Sequence, residues 1–157
     1  MRLTPVFTAL LLLAPLIAPL MAEETPLDMP QAERIELIGE LVAFHGTATI
    51  VSVMSTHCYE TTGLDRAYRT AAENWHLRNI GYLDLADRVV TRLGGADEGQ
   101  KQTAQTYAGT QIMSAYNAAP DKNRFCREFL EKLDTGGFDI DKTLAGPLQQ
   151  AQAIATQ

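Results

Sequence analysis

Leu37, Leu41, Phe44, Ala48, Val51, Ser55 and Cys58 recur at alternating intervals of four and three residues. That spacing places all seven side chains on one stripe of an α-helix, and a stripe this long must be covered by other helices. Thr47 to Thr56 is rich in β-branched residues, which locally favour a strand, but the three-four spacing runs through it and predicts helix. Gly46 marks a potential bend. Asp28 and Pro30 supply a start signal, a capping carboxylate followed by a proline suited to a first helical turn.

A second stripe follows after a turn at Tyr59 to Gly63. Leu64, Tyr68, Ala71, Trp75, Arg78, Tyr82, Leu85 and Val89 keep the same rhythm until Gly94-Gly95. Thr62 and Asp65 have the spacing of a capping box, with Asp in the usual Glu or Gln place. A third, less apolar segment from Asp97 to Ala118 presents Ala104, Ala108, Ile112 and Ala115, and Pro120 ends it. A fourth carries Phe125, Cys126, Phe129, Leu130 and Leu133 up to Gly136-Gly137, and residues 138–157 add a short helix with a frayed Gln-rich end. No repeat and no strand-turn-strand pattern is present. The expected fold is all-α: a small antiparallel bundle of about four helices with one disulfide.

Cys58 and Cys126 are the only cysteines, and they lie too far apart for the usual metal or redox spacings. A bridge between them suits an up-down-up-down bundle, in which the end of the first helix meets the start of the fourth. Disulfides belong to oxidising compartments, and the N-terminus agrees. Arg2 precedes an apolar run, Leu3 to Met21, which exits at Ala22 before Glu23-Glu24, the three parts of a cleavable secretory signal. Pro5, Pro15 and Pro19 count against a retained transmembrane anchor. The expected organisation is a signal peptide over 1–22, then one helical domain over 23–157 with a flexible lead-in, placed in the periplasm or secreted. It carries no stable membrane anchor after cleavage. Arg2 is the only charge removed, so the formal net charge of −6 becomes −7 in the mature chain. That balance repels phosphates and excludes nucleic acid as a partner.

Motifs with chemical content are few. Glu73 and His76 form a Glu-x-x-His pair, but the second such pair and the further glutamates of a di-iron bundle are missing. His57, Cys58 and Glu60 could approach a metal only if Cys58 were reduced. There is no Cys-x-x-Cys-His, no Gly-rich phosphate loop, no Gly-x-Ser-x-Gly and no His-Glu-x-x-His. No cofactor is expected. The segment Trp75 to Tyr82 stands out because Arg78 falls on an apolar seam, where a guanidinium needs acceptors. Together with His45, Trp75, Asn79 and Tyr82 it defines a candidate ligand pocket; the bland alternative is a structural anchor. In outline the chain is similar to small two-cysteine helical proteins of the bacterial envelope. The expected function is non-enzymatic binding of an envelope protein or a small ligand. The alternative is a metal-binding protein or enzyme using Glu73, His76, His45 or Arg78.

Overall fold

A computed structural model describes residues 29–95 and 98–157. The signal-peptide segment, Asp28 and most of the lead-in lie outside the described residues. Four principal helices, α1 (Gln31–Thr62), α2 (Asp65–Arg92), α3 (Glu98–Ala118) and α4 (Lys122–Asp134), are followed by the short α5 (Ile140–Thr143) and by α6 (Ala145–Ala155). No strand occurs among the described residues.

Helix α1 is the centre. Its seam is buried as its spacing requires: Leu37, Leu41, Phe44, Val51 and Cys58 are in the core, Ser55 with them, and Ala48 is half-buried. Ile38, Val42 and Met54 widen the stripe, and α2, α3, α4 and α6 all pack on α1. By length and composition α1 could cross a membrane; in the bundle its seam is covered by neighbouring helices, and the rest of that apolar stretch stays partly open. The β-branched stretch is helical, as the spacing predicted. Gly46 makes no break in the helix. It is buried against α3, where a Cβ would lie 3.1 Å from the Ala108 Cβ, so the missing side chain lets the two backbones approach.

Several boundaries differ from the sequence reading. The expected turn at Tyr59 to Gly63 is the last turn of α1, closed by Gly63 in the left-handed region (φ 72°) with its N–H donating to the Tyr59 carbonyl. Thr62 therefore does not cap α2. Its hydroxyl donates to the Cys58 carbonyl at 2.7 Å, and the α2 N-cap position is Leu64. Asp121 caps α4 by accepting from the Arg124 N–H at 2.9 Å. The Gln-rich end is helical to Ala155 and docks through Leu148, Ala151 and Ile154, with Arg92 of α2 donating to the Ile154 carbonyl at 2.8 Å. Three buried apolar side chains at helical spacing hold an end that composition alone marks as loose. This segment also compensates for the shortness of α4.

The disulfide joins Cys58 to Cys126, with both residues fully buried and their Cα atoms 5.2 Å apart. It fixes the end of α1 beside the start of α4. At the same end the Thr61 hydroxyl lies 2.6 Å from the Tyr116 hydroxyl, which puts the last turn of α3 there too. Consecutive helices therefore run antiparallel. Replacing Cys58 and Cys126 together by alanine is expected to lower unfolding free energy by up to about 4 kcal/mol, the chain-entropy value for so long a loop. Denaturant titration measures the loss, and far-ultraviolet circular dichroism should show unchanged helix content. Unchanged stability would mean that the crosslink contributes nothing to the fold.

Candidate functional site

The α2 stripe changes register after Trp75. Tyr68, Ala71, Trp75, Asn79, Leu83, Ala86, Val89 and Val90 are buried. Asn79 takes the inward place that the sequence assigned to Arg78. Both positions continue a helical stripe from residue 75, one four residues on and the other three. Tyr82 and Leu85 are half-buried, Leu64 is exposed, and a Cβ at exposed Gly81 would meet nothing within 4 Å, so that glycine serves no close packing. The Arg78 side chain is 38% exposed.

Arg78 nevertheless has partners from neighbouring segments. Its Nε donates to Asp139 Oδ2 at 2.9 Å, and one terminal nitrogen donates to Asp139 Oδ1 at 3.0 Å and to the Leu133 carbonyl at 2.8 Å. The two-point geometry is the strong form of a guanidinium–carboxylate pair. Asn79, fully buried, donates to the Trp75 carbonyl at 2.7 Å and to Asp139 Oδ1 at 3.1 Å, while its Oδ1 accepts from the Ile140 N–H at 2.8 Å. The Trp75 indole donates to the Phe138 carbonyl at 2.9 Å. Trp75, Arg78 and Asn79 thus clasp the α4–α5 turn to the middle of α2. Burial raises the Asp139 pKa, but hydrogen bonds from Arg78 and Asn79 and the charges of Arg78 and Lys142 outweigh it and hold the carboxyl below its ordinary value.

His45 takes part in a different contact. Its Nε2 lies 2.9 Å from Asp87 Oδ1, and Lys101 Nζ lies 2.6 Å from the same oxygen. One carboxylate therefore ties α1, α2 and α3 together. Burial raises the Asp87 pKa, and the hydrogen bonds from Lys101 and His45, with their charges, bring it below the ordinary value. The structure brings Trp75, Arg78 and Asn79 together in one network and gives His45 another. Sequence reading missed Asp87, Lys101 and Asp139, because each bond joins residues from different helices or turns and leaves no local pattern.

Glu73 and His76 are exposed. Among the described residues no three His, Cys, Asp or Glu side chains gather as a metal site, and Cys58 is oxidised. Two adjoining depressions open between α1 and α2. One, of about 390 Å3, includes Ser55, Tyr59 and Arg69; the other, of about 520 Å3, includes Ala48, Val51 and Trp75. Ser52, Ala72 and Glu73 line both, so they form one groove.

The fold and this groove define a small disulfide-linked helical-bundle domain. No family model, curated protein or solved structure matches the chain.

Arg78→Met keeps the apolar stem but leaves Asp139 and the Leu133 carbonyl short of donors. It is expected to cost about 1–3 kcal/mol in thermal or chemical unfolding. The Asp139 pKa lies below its unfolded-state value, so as pH falls the unfolded chain takes up that proton first. The stabilisation is complete above the ordinary 3.8 and is lost as pH drops through the lower folded value. Asp139→Asn should flatten that part of the stability–pH curve; an unchanged curve would show that Asp139 makes no such contribution.

Proposed function

We propose that this chain is an exported periplasmic domain that works by binding a small molecule or partner protein rather than by catalysis. The observation that carries the reading is the division of labour among its polar side chains. Arg78, Asn79, Trp75 and His45 are bonded to carbonyls and carboxylates of their own fold. The α1/α2 groove, in contrast, opens to solvent, and the side chains of Ser52, Glu73 and Leu77 on its lining make no hydrogen bond among the described residues. A rigid, crosslinked bundle with a concave apolar surface is suited to holding a ligand whose binding needs no rearrangement of the frame.

The disulfide supports export, because a bridge between distant cysteines persists in oxidising compartments. The expected removal of residues 1–22 accords with it. Cell fractionation followed by N-terminal sequencing of the protein from its native host should find a soluble periplasmic chain beginning near Glu23. A chain that keeps Met1 and stays with the membrane would contradict the export reading. Elemental analysis of the same material tests the other half: a stoichiometric transition metal would replace the binding reading with a metal-based one.

A further inference from the structure

Gly81 has no role in the packing of its own domain. Glycine is among the poorest helix formers, yet this one sits in the middle of α2, exposed, where a Cβ would meet nothing within 4 Å. Beside it stand two large apolar side chains open to water: Leu77, 73% exposed, and Ile80, 49% exposed. Leu77 and Gly81 are four residues apart, so a knob and a hollow follow one another along the outer stripe of α2. The stripe continues to Glu73 in one direction and to Asp84 and Arg88 in the other, and all three are exposed. Arg88 pairs with Asp84 one turn away. An exposed pair of this kind is weak, and a guanidinium has donors to share with a second carboxylate. Glu73 makes no ion pair among the described residues; its charge acts on Arg69, which is bonded to Asp65.

We propose that this outer face of α2 docks a second copy of the chain, the two α2 helices running antiparallel about a two-fold axis level with residue 79. In that arrangement Leu77 of each protomer fills the hollow over Gly81 of the other, and Ile80 closes beside it. The missing side chain at Gly81 lets the two backbones approach. Residue 73 then lies opposite residue 85, three residues or about 4.5 Å along the axis from Arg88 of the other protomer. Each Glu73 thereby gains a guanidinium within reach, and symmetry makes the contact twice. A parallel pair would set Glu73 against Glu73 and Leu77 against Leu77, and would leave Gly81 unfilled. Charge and shape therefore choose the same orientation. The stripe offers both knob and hollow, both carboxylate and guanidinium, and a two-fold interface requires that self-complementarity. A single helix pair is a small interface, so the dimer is a reversible one. Glu73 and Leu77 also line the α1/α2 groove, so the second copy lies along the rim of each groove.

Sedimentation equilibrium of the purified protein should show a concentration-dependent monomer–dimer equilibrium. Leu77→Arg removes the knob and should weaken association at least about tenfold. Gly81→Ala separates the interface from the fold. Alanine is the better helix former, so the melting temperature of the dilute monomer should rise, while the methyl group in the hollow should weaken the dimer several-fold. Glu73→Arg and Arg88→Glu should each weaken association roughly fivefold, and the two together, which restore opposite charges across the axis, should recover most of the loss. All four positions are exposed, so the variants should fold, and circular dichroism checks that they do. A protein that stays monomeric at every concentration overturns the proposal. So does a dimer that Leu77→Arg and Gly81→Ala leave unchanged, because it forms through another surface. Failure of the double charge exchange to recover association overturns the antiparallel pairing. The binding reading above stands or falls separately from each of these results.

Discussion

Helix α1 cannot be left facing water around much of its circumference. Its length and composition would suit a membrane span, and in this fold its apolar stripe is taken up by neighbouring helices instead. The rest of the molecule follows from that requirement. Helices α2, α3, α4 and α6 each cover part of it. Helix α3 has no fully buried residue, yet it closes on α1 because Gly46 opposes Ala108 and permits a near approach. Helix α4 is too short to cover α1 alone, and α6 completes the surface with Leu148, Ala151 and Ile154. The polar bonds then lock positions that apolar packing leaves free to slide. The Asp87 carboxylate ties three helices, and the clasp at Asp139 fixes the α4–α5 turn.

The architecture was legible in the sequence where periodicity decided it. The α1 stripe is uninterrupted and apolar, so its seven positions could be read directly, and the disulfide, read separately from an isolated pair of distant cysteines, agreed with the topology they implied. In α2 the reading failed at one step. Arg78 and Asn79 both suit a stripe through Trp75, and composition ranks neither as the buried one. Asn79 is inside because its amide satisfies the Ile140 N–H and Asp139, which lie some sixty residues away in sequence. The C-terminal end was read as frayed because glutamines dominate it. Its three inward apolar residues decide otherwise, since burial depends on spacing more than on average composition.

The candidate site was legible in part. Trp75, Arg78 and Asn79 were singled out and do belong to one network, with His45 in another. The groove was not foreseen. Its residues come from two helices that meet only in the fold, and Ser52, Ser55 and Ala72 are unremarkable in a sequence. Glu73 attracted notice for its spacing to His76, a pattern within one helix. What distinguishes it in the structure is its place on the wall shared by both depressions of the groove, a property of the neighbours that surround it.

The account depends most on α1 being the enclosed centre of an aqueous bundle. Native-state hydrogen exchange of the purified protein, prepared without detergent, tests that directly. Amides of Leu41 to Met54 should exchange most slowly and only with the free energy of global unfolding, while α3, which has no fully buried residue, should open at lower cost. If α1 exchanges by local opening ahead of α3, or if the protein stays in solution only with detergent, α1 is not the core of this fold.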